Sequence, residues 1–125
     1  MLDGFVIPAT IKLGVPQKSA RIRKIVCLMV YTDGAVHFDI RTVARNHVES
    51  PVQRHSFRIS EIGSISYQKA RFGGRIVMRP IHLAALDSIP GAEHGELILQ
   101  IRRSDREQAD KLIGRVRRDL SDSRM

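Results

Sequence analysis

The residues that most often carry chemistry in proteins are few and scattered in this sequence. It contains a single cysteine and five histidines. The histidines are His37, His47, His55, His82 and His94. Zinc ligands usually come in pairs a few residues apart, and neither the histidines nor the lone cysteine show that spacing. The sequence therefore predicts no metal site and no bound cofactor.

One pair of residues could take part in acid–base catalysis. His37 and Asp39 are two positions apart, which on a strand places both on the same face and could orient the imidazole. Alternation along an exposed strand explains the pair equally well, and the pattern places no serine or cysteine nucleophile beside it. We therefore expect that this protein is not an enzyme.

A group of bases around one aromatic residue is the most functional-looking feature. Lys69, Arg71 and Arg75 surround Phe72 at the predicted tip of a hairpin. Such a cluster can dock on phosphates while the ring stacks on a base or enters a lipid interface. The alternative is that Phe72 folds back on the protein and the basic side chains only keep the strand ends in contact with solvent.

A second basic group stands where the last predicted strand meets the last predicted helix. Its members are Arg102, Arg103 and Arg106. The first turn of a helix adds positive potential to such a group, although Asp105 and Glu107 partly cancel it. We treat these three arginines as further candidate binding residues.

The overall charge agrees with a polyanionic partner. Lysine and arginine number 21 against 13 acids, which gives a net charge of +8. An acidic protein, an anionic lipid surface or nucleic acid would all suit that charge. Aromatic residues make up only 5% of the chain, which argues against a platform that stacks single-stranded bases. Nucleic-acid binding by a small basic β-barrel is therefore the alternative to binding a protein or a membrane.

The elements that must position these residues begin with a clear hairpin. Asp33-Gly34 lies between two runs rich in β-forming residues, which predicts a two-residue turn. This register gives one wholly apolar face, on which Tyr31 faces Val36, Met29 faces Phe38, and Cys27 faces Ile40. That face predicts a core in which Cys27 is a buried, inert thiol.

The opposite face of this hairpin is mixed. Val26, Leu28 and Val30 on one strand face His37, Asp39 and Arg41 on the other. A fully solvated face would not need three aliphatic side chains, which indicates cover by another element or by a second copy of the chain. We predict self-association through Val26, Leu28 and Val30.

Further strands are predicted over residues 54–59 and 64–70, and a second hairpin follows them. A four-residue loop, residues 71–74, would pair Tyr67 with Met78 and Lys69 with Ile76. A long connection covers residues 80–95, and residues 96–102 form a strand with Leu97, Leu99 and Ile101 facing inward. Residues 44–53 are predicted to be a loop.

The last element is a helix over residues 104–121. Ser104 and Glu107 have the spacing of a capping box, and an apolar stripe follows at helical intervals. The stripe consists of Ala109, Leu112, Ile113, Val116 and Leu120. The first 21 residues are poorly defined because Pro8 and Pro16 interrupt them, but residues up to 13 could supply a short edge strand.

These elements predict a single domain over residues 1–125, mainly β with one helix. About seven short, mostly antiparallel strands would curl into an open barrel, and the amphipathic C-terminal helix would cap it. The chain start lacks a basic region, and the apolar runs are too short to cross a bilayer. We therefore expect a cytoplasmic protein.

The order of seven strands and one C-terminal helix resembles the pleckstrin-homology superfold. The amino-acid sequences of three segments are also similar to those of bacterial pleckstrin-homology-like (PH-like) domains. The segments are residues 57–65, 72–76 and 97–101. The resemblance covers roughly residues 22–120. It implies a PH-like open barrel that serves as a module for protein interaction and self-assembly.

Overall fold

The computed structural model describes residues 5–12 and 22–124, and it is mainly β. Seven strands are followed by one α-helix. The strands are β1 (Phe5–Ile11), β2 (Ile22–Thr32), β3 (Ala35–Ala44), β4 (Gln53–Arg58), β5 (Ile62–Ala70), β6 (Gly73–Pro80) and β7 (Leu97–Ile101), and the helix is α1 (Arg106–Ser123). Single 3₁₀ turns lie at Ile59–Glu61, Leu83–Leu86 and Arg103–Asp105.

All seven strands belong to one antiparallel sheet in the order β4-β3-β2-β1-β7-β6-β5. Alternate residues of each strand point into a common core, which α1 covers with its apolar stripe. The predicted fold class is therefore confirmed. The arrangement is consistent with a PH-like open barrel that has a capping helix.

The β2–β3 hairpin has the predicted register. Asp33 and Gly34 form the turn and both have positive φ angles, 55° and 72°, as the predicted turn requires. Met29 pairs with Phe38, and neither side chain is exposed. The alternation of apolar residues was sufficient here because the turn left only one register that filled a core.

The β5–β6 hairpin has a different register from the predicted one. Tyr67 pairs with Ile76, Lys69 pairs with Gly74, and the turn consists of Arg71 and Phe72 alone. The shift is two residues, so each side chain keeps its predicted face. Gly73 and Gly74 are strand residues rather than loop residues, since they pair with Ala70 and Lys69. Neighbouring atoms also approach both glycines closely.

β1 is an interior strand, and the prediction of an edge strand was wrong. It pairs with β2 along its whole length and with β7 through Thr10 and Ile11. Pro8 is tolerated because the pairing with β7 starts only at Thr10, so its missing N–H breaks no bond on that side. Leu13 of the predicted strand lies outside the described residues.

α1 buries all five residues of the predicted stripe. It begins at Arg106 rather than at residue 104, and it ends at Ser123. The predicted capping box does not form, because Ser104 belongs to a 3₁₀ turn and Asp105 is the N-cap without a side-chain cap bond. Among the described residues, no helix is long and apolar enough to cross a membrane.

Candidate functional site

The tip of the β5–β6 hairpin projects an aromatic side chain into solvent. Phe72 is 79% exposed, more than any other large apolar side chain of the described residues. The Arg71 guanidinium carbon lies 5.4 Å from the centre of the Phe72 ring, within the range of a cation–π contact. Phe72 therefore does not fold back on the barrel. We call Lys69, Arg71, Phe72 and Arg75 the basic tip.

Two glycines allow close packing at this tip, Gly73 against the end of β7 and Gly74 against Tyr67 of β5. Gly73 has a φ angle of 119°, and a Cβ atom there would lie 2.3 Å from the Ile101 carbonyl oxygen. A Cβ atom at Gly74 would lie 2.6 Å from the Tyr67 hydroxyl. The approach of Gly73 places the basic tip beside the junction between β7 and α1, where the second predicted basic group begins.

An open groove of about 1120 Å³ connects these two regions. Its floor is the outer face of β7, and its sides come from the outer faces of β1, β5 and β6. The lining includes Thr10, Lys12, Gln68, Lys69, Phe72, Arg75, Glu93, His94, Glu96, Ile98, Gln100 and Arg102. We call it the β7 groove. Register connects its walls, because Gln100 pairs with both Thr10 and Arg75, and Arg75 pairs with Gln68.

The two ends of the β7 groove differ in charge. Lys69, Arg75 and Arg102 surround the end near the basic tip. The Arg75 Nε donates to the Gln68 side-chain oxygen at 2.6 Å, a contact that leaves its positive charge uncompensated. At the other end, Arg79 donates to Glu96 at 2.6 Å. Positive charge is therefore concentrated at one end.

The structure brings only some of the predicted basic residues together. Arg102 joins Lys69 and Arg75 in the β7 groove, although its Nε also donates to Asp105 at 3.1 Å. Arg103 is exposed and Arg106 half-buried, and neither is among the residues that line the groove. The two basic groups of the sequence therefore share one surface through Arg102.

The outer face of β2 carries the three aliphatic residues proposed for self-association. Leu28 is 38% exposed, whereas Val26 and Val30 are half-buried. β1 extends this surface, since Val6 pairs with Val30 and Pro8 pairs with Leu28. Sequence reasoning missed Val6 and Pro8 because the prolines hid the alternation of β1. We call these five residues the apolar strip.

A serine does lie beside His37, contrary to the sequence-based prediction. Ser56 of β4 pairs with His37 of β3, and its Oγ is 2.7 Å from the His37 Nδ1. The β3–β4 loop is long and its length fixes no register, so the sequence could not show this pair. Asp39 does not complete a triad, because Arg54 holds both of its carboxylate oxygens at 2.6 and 2.9 Å.

The Asp39–Arg54 pair determines the charge state of this part of the surface. The hydrogen bond from Arg54 lowers the pKa of Asp39 below the ordinary aspartate value, against a smaller opposing effect of burial. The Asp39 carboxylate therefore stays ionised beside His37 and satisfied by Arg54. Among the described residues, Asp39 is bonded to Arg54, and His37 is bonded to Ser56 instead of Asp39.

Two ionisable groups of β2 are part of the core. Burial, followed by the charge of Asp39, raises the pKa of the Cys27 thiol to about 12, so the thiol stays neutral and unreactive. Burial also raises the pKa of Tyr31, whose hydroxyl donates to Asp119 of α1. This bond ties the helix to the sheet.

No cluster of three potential metal ligands occurs in the part of the chain that the structure describes. No protein-family model, curated protein or solved structure matches the sequence or the fold. A function for this protein must therefore be inferred from three features of its surface: the basic tip, the β7 groove and the apolar strip.

Proposed function

We propose that this protein is a non-enzymatic interaction module that docks on an anionic membrane surface through the basic tip. The observation that carries the proposal is Phe72, 79% exposed among Lys69, Arg71 and Arg75. Among residues 5–12 and 22–124, no ion pair neutralises these three bases. The proposal includes kinship with bacterial PH-like domains, supported by the order of strands and the capping helix.

The physical basis is a combination of two weak attractions. Each base near an anionic lipid surface contributes about 1 kcal/mol, and the net charge of +8 brings the protein to that surface. An exposed aromatic ring adds apolar burial at the boundary between headgroups and acyl chains. Because Phe72 lies at the end of a hairpin, it can reach this boundary without unfolding any strand.

Vesicle co-sedimentation tests the proposal. We expect the protein to sediment with phosphatidylcholine vesicles that contain phosphatidylserine, and not with phosphatidylcholine alone. Replacing the basic tip with K69Q, R71Q, F72A and R75Q should abolish binding. The matched control replaces Arg45, Arg117 and Arg118 with glutamine, which removes the same number of exposed charges elsewhere.

Two results would reject membrane docking. The first is unchanged vesicle binding after the basic tip is replaced. The second is an equal loss in the control, which would show that only net charge matters. Adding duplex DNA as a competitor also tests the alternative function, nucleic-acid binding by a small basic β-barrel. A salt-sensitive preference for DNA over vesicles would favour that alternative.

The apolar strip supports a second function, self-association with another copy of the chain. Val6 is 54% exposed and Leu28 is 38% exposed on adjacent strands. The neighbouring face of β3 and β4 carries the oppositely charged Asp39 and Arg54. A second copy related by a twofold axis would cover the strip with the same strip, and the paired Asp39 and Arg54 would lie at the border of this contact.

Light scattering after size exclusion tests this second function. We expect a dimer for the unaltered protein and a monomer for L28D, because a buried, unpaired carboxylate is costly at the centre of such an interface. V48D is the matched control, since Val48 is 61% exposed and lies on the β3–β4 loop. A monomer at high concentration for the unaltered protein would refute self-association.

A further inference from the structure

The outer face of β7 carries a basic side chain at one end, an acidic one at the other, and uncharged side chains between them. Arg102, Gln100, Ile98 and Glu96 follow one another at every second position, so their side chains share one face. At about 3.4 Å per residue, the column from Glu96 to Arg102 is about 20 Å long. This is the length of about six residues of extended chain, and it forms the floor of the β7 groove.

The charged residues on the sides of the β7 groove follow the same order, basic at one end and mixed at the other. Beside Gln100, which precedes Arg102 on this face, β6 contributes Arg75, and the adjacent hairpin end contributes Lys69. Beside Glu96, the connection before β7 contributes Glu93, and Lys12 lies after β1. The far end is balanced, since Glu93 offsets Lys12 and Arg79 is bonded to Glu96. Arg102 is paired with Asp105, so Lys69 and Arg75 give one end of the groove its net positive charge, and the other end is close to neutral.

The middle of the β7 groove offers both donors and acceptors of hydrogen bonds. Gln100 carries a side-chain amide and Thr10 a hydroxyl, and Gln68 adds the N–H groups of its amide, whose oxygen accepts from Arg75. A nucleic-acid strand carries a negative phosphate at every nucleotide and would place such charges beside Glu93 and Glu96. A peptide backbone is uncharged and presents an N–H and a C=O at nearly every residue. The half-buried Ile98 adds an apolar contact. This mixture suits a peptide better than a nucleic acid.

From these observations we propose that the β7 groove binds an extended peptide segment of a partner protein, with its acidic residues confined to one end. The acidic end lies against Lys69, Arg75 and Arg102, and an uncharged part crosses Gln100 and Ile98 toward Glu93. A uniformly acidic chain fits less well, because it would place negative charge beside Glu93 and Glu96. This function does not depend on membrane docking, although the groove shares Lys69, Phe72 and Arg75 with the basic tip.

Selection from a library of random peptides displayed on phage tests the proposal with the folded protein as bait. We expect enriched sequences with two or more acidic residues at one end and uncharged residues over the rest. The double variant R75Q/R102Q should lower the affinity for an enriched synthetic peptide about tenfold or more, because hydrogen bonds to charged groups are lost. The control R117Q/R118Q has the same net charge and should bind as the unaltered protein does.

Two further variants distinguish the β7 groove from general attraction to positive charge. E93K should raise the affinity for a uniformly acidic hexapeptide more than for an enriched peptide. Q100A should weaken peptide binding and leave vesicle binding unchanged, since Gln100 lines the groove but is not part of the basic tip. Failure of the proposed membrane docking is thereby distinguishable from failure of peptide binding.

Nuclear magnetic resonance titration of ¹⁵N-labelled protein with an enriched peptide locates the site. Shifted amides of Thr10, Gln68, Arg75 and Gln100 are expected. The proposal is overturned if no sequence is enriched over the R75Q/R102Q bait, if enriched peptides are acidic throughout, or if the shifted amides map to the apolar strip or to α1.

Discussion

The β2–β3 and β5–β6 hairpins are built alike, but only the β5–β6 turn presents large side chains that can contact a partner. Each has a two-residue turn and an inner face that contributes to the core. In the first, Asp33 and Gly34 take the positive φ angles at the turn itself. In the second, positive φ falls on Gly73, one residue after a turn made of Arg71 and Phe72. Moving the glycine off the turn leaves those positions available for side chains that can contact a partner.

Replacing one phenylalanine in each hairpin gives the largest expected contrast. Phe38 is fully buried, and its ring packs edge-on against Phe57 with centres 5.9 Å apart, so F38A should cost about 4 kcal/mol of unfolding free energy. F72A should cost less than about 0.5 kcal/mol, because the ring is mostly in solvent. Urea denaturation followed by circular dichroism measures both. Similar losses would show that Phe72 packs on the protein in solution.

The glycines of the two hairpins provide the next contrast. G73A would place a methyl group on the Ile101 carbonyl oxygen at a φ angle that alanine avoids, and we expect a loss of about 3 kcal/mol. At Gly34 no atom lies within 4 Å of an added Cβ, so G34A should cost about 1 kcal/mol for the backbone alone. Unfolding midpoints in urea give both values. Equal losses would contradict the close approach of the tip to β7.

The same two hairpins show how far the sequence could be read. Asp33-Gly34 predicted a turn whose register also filled the core, so two independent signals agreed. Gly73-Gly74 suggested a turn as well, but these positions are glycines because other residues approach them closely. Ile101, which approaches Gly73, is distant along the chain, and Tyr67 approaches Gly74 only once β5 and β6 have paired. A contact of this kind has no local signal. The predicted loop was therefore two residues too long.

The surface sites follow the same rule. Lys69, Arg71, Phe72 and Arg75 are close in sequence, and their grouping could be predicted. The β7 groove needs β1 beside β7, an order that sequence patterns did not reveal. Ser56 next to His37 likewise depends on the register between β3 and β4. Local groups were therefore predictable, whereas surfaces assembled from separate strands were not.

A tyrosine in each hairpin gives a smaller expected difference. The buried Tyr31 hydroxyl donates to Asp119, so Y31F should cost about 1 to 2 kcal/mol. The Tyr67 hydroxyl is also buried but has no hydrogen-bond partner among the described residues, so Y67F should leave stability unchanged or raise it slightly. Thermal or urea unfolding of the two variants tests this. A clear loss for Y67F would reveal a partner for that hydroxyl.

The smallest expected effect is on the pH dependence of stability, and it distinguishes the two arginines that bond to a side chain on the neighbouring strand. Arg54 pairs with the carboxylate of Asp39, whereas Arg75 pairs with the uncharged amide of Gln68. Because the pKa of Asp39 is lowered in the fold, the unfolded chain takes up a proton first as the pH falls through the ordinary aspartate range, and stability declines. D39N should therefore flatten the fall in stability between neutral pH and about pH 3, whereas Q68A should leave its slope unchanged. Because both side chains of the Asp39–Arg54 pair lie at the surface, we expect the difference to shrink in high salt. A slope identical in D39N and the unaltered protein would show that other carboxylates dominate acid unfolding.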